Sequence, residues 1–291
     1  MAGLYTSEAM ALTAAPYGHL LFTHSHNAEA ERLTALAEAF DQDTIHRIER
    51  LGIQSDWNCL EIGSGVGTIA HWLATQCPHG EVIATDLDTS LIPEEGRPSN
   101  LQVITHDVTV DAFPEGSFNL ICSRFVFEHL IDRDAMLAKV VRWLAPGGWL
   151  LLEDTGPFPF DSSPNPLYRR VSKAIMAVAT KRMGSDYEWS RSFPAQLRAN
   201  GLIHTGVHAS SHGVGGTPMG RAWRLTAEHI AADLDEQFGI TAADLATFAN
   251  QVEDPSFDDL CIASVAAWGQ RPTLREYLKT LKPPTRVPQG N

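Results

Sequence analysis

The sequence predicts an α/β protein: a doubly wound, parallel sheet with helical segments folded over one edge. Three observations predict it. Short apolar runs alternate with stretches of helical periodicity from residue 59 to residue 154, as in a parallel sheet covered on both faces. The first run passes straight into alternate glycines, Leu60-Glu61-Ile62-Gly63-Ser64-Gly65-Val66-Gly67-Thr68-Ile69-Ala70, which is how a buried strand turns sharply into a helix over a bound ligand. Outside that core, residues 1–52, 155–190 and 213–256 carry helical patterns without the alternation and are expected to form lids.

Residues 2–27 are weakly patterned, with His and aromatic residues in Tyr17-Gly18-His19-Leu20-Leu21-Phe22-Thr23-His24-Ser25-His26. From Asn27, a helix cap, the apolar positions Ala30, Leu33, Ala37 and Phe40 follow helical spacing, with Glu29 and Glu31 near the positive helix start. A second, short helix with Ile45, Ile48 and Leu51 is expected to end at Gly52. Strands follow at 59–62, 82–86, 101–104 and 118–122, with helices expected between them; Val66, Ile69, Ala70, Leu73 and Ala74 mark the first. Asp132 can cap a helix that buries Met136, Leu137, Val140, Val141 and Leu144. Pro146-Gly147-Gly148 stops it before a fifth strand, 149–153.

After Asp154 four prolines (157, 159, 164, 166) predict an irregular connection, and Leu167, Val171, Ala174, Ile175 and Val178 then give an amphipathic helix. A crossover helix at 193–199 and a sixth strand at 203–209 follow. Residues 217–254 read as two helices, the first facing inward through Ile230, Leu234 and Phe238, the second opened by Thr241 ahead of Leu245, Phe248 and Val252. A last strand, 260–268, precedes a Pro-rich tail.

A 44% hydrophobic content across 291 residues supports a sizeable core, while a formal charge of -13 argues against a phosphate backbone as the main partner. Cys59, Cys77, Cys122 and Cys261 lie far apart without CxxC or zinc-type His spacing, so no metal site is expected and free thiols in a reducing cytoplasm are. With no apolar run of membrane-spanning length, a soluble cytoplasmic protein is expected.

The alternate glycines Gly63, Gly65 and Gly67 permit backbone conformations and a ligand approach that a Cβ would obstruct. In the dinucleotide pattern GxGxxG the third glycine would fall on Thr68, a departure that favours a different adenosine ligand. Asp86 ends the second strand, where a carboxylate can accept from both hydroxyls of a ribose, and Asp107 after the third can meet an adenine amino group.

Together these residues resemble the class I S-adenosylmethionine-dependent methyltransferases, and the opening segment with Phe125-Val126-Phe127-Glu128-His129-Leu130 resembles bacterial, actinobacterial-type members acting on small molecules. The likeness rests on Leu60 to Gly67, Thr85-Asp86-Leu87-Asp88, His106-Asp107-Val108, Phe118 to Cys122 and Leu144-Ala145-Pro146-Gly147-Gly148-Trp149, in that order. It implies a Rossmann-like seven-stranded sheet with its last strand antiparallel, an N-terminal helical lid at 1–52, and a methyltransferase domain at 53–291 with insertions near 155–190 and 213–256. It further implies that Gly63, Ser64, Gly65 and Gly67 approach the methionyl part of S-adenosyl-L-methionine, Asp86 and Leu87 the ribose, and Asp107 and Val108 the adenine. Ser123 and Arg124 should lie beside the cofactor, and Glu61 should act through turn amides.

Methyl transfer from a sulfonium needs in-line positioning and exclusion of water more than a strong base. An oxygen or nitrogen acceptor still has a proton to lose, and Asp154, Glu128 and His212 lead the base candidates, ahead of His24, His26, His129, Tyr187 and Glu188. Tyr17, Phe22, Phe125, Phe158, Tyr168, Tyr187 and Trp189 can wall an aromatic acceptor. Arg169, Arg170, Lys173, Lys181 and Arg182 form a basic helix face. The expected function is methyl transfer to a small, aromatic or heteroaromatic metabolite of natural-product type, at carbon, oxygen or nitrogen, by a monomer or homodimer. The alternatives are an NAD-dependent oxidoreductase and a non-catalytic S-adenosylmethionine-binding protein.

Overall fold

The computed structural model describes residues 26–280. The elements are α1 (His26–Arg50), β1 (Cys59–Ile62), α2 (Thr68–Gln76), β2 (Val82–Asp86), β3 (Leu101–Thr105), β4 (Phe118–Arg124), α3 (Arg133–Trp143), β5 (Leu144–Pro159), α4 (Pro166–Met183), α5 (Phe193–Ala199), β6 (Ile203–Gly213), α6 (Pro218–His229), α7 (Ala231–Phe238), α8 (Ala242–Glu253), β7 (Leu260–Gln270) and α9 (Leu274–Thr280). Seven strands form one sheet in the order β3-β2-β1-β4-β5-β7-β6. Strands β1 to β5 are mutually parallel, and β7 runs antiparallel to both β5 and β6. The order reverses direction beside β1, so the carboxyl ends of β1 and β4 flank the crevice where ligands bind in doubly wound sheets.

Each face of the sheet is sealed by apolar side chains. Leu73 and Ala74 of α2 pack with Cys59, Val82 and Leu120 on one side, and Leu137 and Val140 of α3 pack with Leu60, Ile121, Phe193 and Leu197 on the other. A third apolar cluster lies among the helices: Phe40 of α1, Tyr168, Val171 and Val178 of α4, Ala222 and Trp223 of α6, Leu234 of α7 and Phe248 of α8 are all buried together. Burying each large member contributes about 1.5–3 kcal/mol, so this helical layer carries its own driving force.

Four local expectations are revised. The two helices expected at 27–52 are one 25-residue helix, because the polar residues Asp41, Thr44 and Arg47 continue its inward face rather than interrupt it. The crossovers β2–β3 and β3–β4 hold only a single 3₁₀ turn, Thr89–Leu91; Pro93, Pro98 and Pro114 deny them a regular amide ladder. Strand β5 runs on to Pro159, since β7 offers Gly156 and Pro159 a partner across a register shift that spares the proline nitrogens. Residues 217–254 hold three helices, and Phe238, expected inside, is exposed. Thr241 does open α8, in a reciprocal capping box with Asp244.

Candidate functional site

The four residues of β1 are all buried, and the chain leaves the sheet through three glycines in the left-handed region: Gly63 at φ 73°, Gly65 at 55° and Gly67 at 79°. The amides of Gly63 and Ser64 both donate to the Thr85 carbonyl, at 2.8 and 2.9 Å, which folds the turn back onto β2. A Cβ on Gly63 would stand 2.2 Å from Val126 Cγ2, and one on Gly67 2.8 Å from Ile92 Cγ2, whereas one on Gly65 would meet only Leu33 at 3.8 Å. Glu61 reaches under the turn, its Oε2 accepting from the Ala70 amide in the first turn of α2 at 2.9 Å. Burial pushes its carboxyl up to about 8, against the pull of the Arg124 guanidinium.

Asp86 faces the same turn. Its Oδ2 accepts from the Gly65 amide at 2.8 Å and its Oδ1 from Asp88 N at 3.2 Å, and burial raises its pKa. Beside it Leu87 is 42% exposed, free to lie over a ligand. The Asp107 carboxylate accepts from Thr109 N and Oγ1 at 2.8 and 2.6 Å, shaping the loop after β3. Val108 is buried, and its carbonyl accepts from Lys139 Nζ at 2.9 Å.

At the end of β4, Ser123 is buried with its hydroxyl on the Ile62 carbonyl at 3.0 Å, joining β4 to β1. The guanidinium of Arg124, expected beside the cofactor, is spent on α1: Nη2 donates to Asp41 at 2.6 Å and Nη1 to Thr44 at 2.8 Å. Glu153 completes this polar layer, accepting from Thr44 Oγ1 at 2.5 Å and from Arg47 Nη1 at 2.7 Å. Ser210 of β6 joins through Asp43 and Arg47. The next residue, Phe125, has φ 57°, an outlier for a bulky side chain. Its amide donates to the Glu153 carbonyl at 2.7 Å, and its ring packs edge-on against Phe40, which packs edge-on against His212. His212 Nε2 lies 3.4 Å from Asp43 Oδ2.

The loop then crosses to β5. Glu128 accepts from the Thr155 amide and hydroxyl at 2.6 and 3.0 Å, and Asp154 Oδ1 accepts from the Val126 amide at 3.2 Å. Asp154 Oδ2 is buried without a hydrogen-bond partner. The His129 ring meets Ser185 Oγ at 2.7 Å through Nδ1 and Glu128 Oε1 at 3.4 Å through Nε2.

Of the described aromatic residues expected to wall an acceptor, Phe125 is in ring contact with Phe40, which meets His212. Tyr187 stands edge-on to His129, with ring centroids 6.4 Å apart. Phe158 lies under the Arg191 guanidinium. Tyr168 is a core residue, its hydroxyl on the Leu260 carbonyl and its ring stacked on Phe248; Trp189 packs on Phe127 and Phe193 and donates to Asp134. Tyr17, Phe22 and His24 lie outside the described residues. In the basic cluster Arg170 pairs with Asp244 and Arg182 with Asp233, so these cations bind α4 to α8 and α7. An open groove of about 590 Å³ between the ends of β5, β6 and β7, lined by Pro159, Ser163, Thr217 and Asp259 among others, includes none of the turn residues. No helix among the described residues is long and apolar enough to cross a membrane.

The sequence reading missed Val126, Ile92 and Leu33, the apolar residues facing the three glycines, and the Asp41–Thr44–Arg47–Glu153 layer. Glu153 had a visible signal, being an acid at the end of an otherwise apolar strand. The apolar three had none.

A family model described as a methyltransferase domain matches residues 11–202. Methyltransferase str3 of Strobilurus tenacellus is 35% identical over 129 residues, 44% of this chain and 46% of that protein. The ubiquinone/menaquinone biosynthesis C-methyltransferase UbiE of Pseudomonas putida is 26% identical over 159 residues, 52% of this chain and 62% of that protein. The matched segments thus span about half of these curated relatives' own length. Among solved structures, phosphoethanolamine N-methyltransferase 2 of Haemonchus contortus, in complex with S-adenosyl-L-methionine, superposes with a TM-score of 0.53 at 16% identity, over 80% of this chain and 52% of that one, a likeness of fold. With a family match over well more than half its length, lying on a sheet whose first strand opens into the glycine turn, this chain belongs to the methyltransferase domain family.

Proposed function

We propose that this protein transfers a methyl group from S-adenosylmethionine to a small aromatic or heteroaromatic molecule. The observation that carries the cofactor assignment is the pairing of the left-handed glycine turn with the Asp86 carboxylate across 2.8 Å. An ionised carboxylate has about four acceptor positions, and the two contacts to Gly65 and Asp88 leave room for a ribose diol. Gly63 and Gly67 already approach Val126 and Ile92 more closely than any Cβ allows, so the cradle is built to glycine dimensions. The residues therefore fit the cofactor, whose chemistry when bound is an electrophilic sulfonium methyl.

The remaining work falls to the chain's own groups. The turn amides and Asp86 bind and orient; Leu33, Val126 and Leu87 keep water off. Asp107 and Val108 frame the adenine end. Acceptor recognition belongs where Phe40, Phe125 and His212 meet, because one residue, Val126, separates that aromatic cluster from Gly63. Of the three leading base candidates, Glu128 and Asp154 are committed to the loop after β4, whereas His212 lies 3.4 Å from the Asp43 carboxylate, its Nε2 makes no hydrogen bond, and it is left as the candidate general base. Arg124 stays at the end of β4 beside the turn, its guanidinium bonded to Asp41 and Thr44 of α1. Helix α1 and the helices of 155–190 and 213–256 act as the lid; the first 25 residues of the expected N-terminal lid lie outside the described residues.

In calorimetry, Asp86→Ala is expected to weaken S-adenosylhomocysteine binding by about 1–3 kcal/mol, the value of a charge-assisted hydrogen bond; an unchanged affinity in a folded variant removes Asp86 from the site. Mass spectrometry of a phenol, indole and keto-acid panel should find a methylated product with the wild type and little with His212→Gln. Binding of the cofactor without any turnover would favour a non-catalytic binder, and binding of NAD in its place an oxidoreductase.

A further inference from the structure

We propose that Glu128 and Asp154 are a positioning pair that holds the loop after β4 down on the glycine turn only while they share a proton. This rests on the cofactor reading above and concerns how that site is kept closed. The contacts are reciprocal: the Asp154 side chain on β5 holds the backbone of the loop at Val126, and the Glu128 side chain on the loop holds the backbone of β5 at Thr155. Neither carboxyl is more than 3% exposed. Val126, pinned between them, is the residue that presses on Gly63.

Among the described residues no lysine or arginine is bonded to either carboxyl. Arg133, at the start of α3, turns its guanidinium to the carbonyls of Glu128 and Gly184 at 3.0 and 2.8 Å. His129, on the same loop, is the nearest ring, and burial together with Arg32 of α1 and Arg133 lowers its pKa to about 3, so it stays neutral. The insertion contributes Ser185 and the Asp186 amide, which donates to the Glu128 carbonyl at 2.8 Å. The Arg133 charge favours both carboxylates without bonding to either, and two buried carboxylates with no bonded cation cannot both ionise cheaply. Burial raises Glu128 to about 7, and burial followed by Glu128 itself raises Asp154. Asp154 Oδ2 has no hydrogen-bond partner, and it is the oxygen to which we assign the pair's proton. A second charge pushes the two side chains apart, and the loop that carries Val126 goes with one of them.

The test is S-adenosylhomocysteine binding to the full chain by calorimetry from about pH 6 to about pH 9, with circular dichroism confirming the fold. Wild-type affinity should fall about tenfold or more across that range, as a binding site linked to one proton requires. Asp154→Asn cannot ionise but still offers its oxygen to Val126 N, and it should flatten the profile; this arm also controls for titration of the ligand's own amino group. Glu128→Gln should do the same through Thr155. A flat wild-type profile, or an unaltered alkaline loss in both variants, overturns the proposal, and so does failure of both variants to fold, which would make the pair a purely structural requirement. No binding at any pH would instead sink the cofactor reading, and this inference with it.

Discussion

At Gly63 two constraints fall on one backbone position: a φ of 73° and a neighbour 2.2 Å from the missing Cβ. Gly65 shares only the first. The difference is measurable. A left-handed conformation costs an L-residue about 1–2 kcal/mol, so Gly65→Ala should lose about that much stability and remain a binder. Gly63→Ala adds the displacement of Val126 and is expected to weaken S-adenosylhomocysteine binding more than about tenfold beyond its backbone cost. Equal affinities of the two variants in calorimetry would show that Val126 does nothing for the site. The glycines were legible because nothing else tolerates those angles; Val126 was not, because an apolar residue after a strand looks the same whether it packs on a core or on a ligand turn. Tyr168 is the converse case. Its spacing to Val171, Ile175 and Val178 already marked a buried helical stripe, and that periodicity outranked its attraction as a ring for an acceptor.

Among the elements, α1 departs most from its sequence reading. Asp41, Thr44 and Arg47 lie at three-residue steps along one side, polar where an apolar stripe is expected, and so they read as a break. Their partners are Arg124 and Glu153, some 80 to 110 positions away in sequence, beyond any local pattern. Because Glu153 is buried and answers Arg47 as well as Thr44, Glu153→Ala leaves Arg47 with Asp43 at 3.5 Å and Ser210, and should reduce the unfolding free energy by about 1.5–3 kcal/mol, read from urea denaturation. A loss under about 1 kcal/mol would place this layer with ordinary surface pairs. Strands, by contrast, were located well from composition, since each parallel strand is a short apolar run covered on both faces. Their lengths were not, because the extension of β5 depends on β7, which lies more than a hundred residues further on.

For the whole molecule, the sequence carried the doubly wound class of fold and the family likeness its antiparallel last strand, but not the helical core, whose members come from α1, α4, α6, α7 and α8. Nor did it show how many acids that architecture buries. Glu61, Glu128 and Asp154 all hold their protons more tightly folded than unfolded. A raised carboxyl contributes stability that is fully present below its unfolded pKa and is lost as pH rises through the folded value. The loss therefore begins near the ordinary carboxylate value of 4.5 and proceeds through about 7 for Glu128 and about 8 for Glu61. The net charge of -13 adds self-repulsion in the same direction. The melting temperature should accordingly fall between about pH 5 and about pH 8.5, and Glu61→Gln, which keeps an oxygen for Ala70 N, should make the decline shallower. A melting temperature that rises over this range in differential scanning fluorimetry would mean that these carboxyls are solvated in the folded protein.

Phe125 carries one more consequence, for anyone who evolves this protein. A left-handed phenylalanine holds about 1–3 kcal/mol of backbone strain at the point where β4 leaves the sheet, and glycine would release it. Selection for heat resistance alone is therefore drawn to this codon. If Phe125 serves the acceptor as proposed, selection for turnover holds its ring against Phe40, and the two pressures pull a single position in opposite directions.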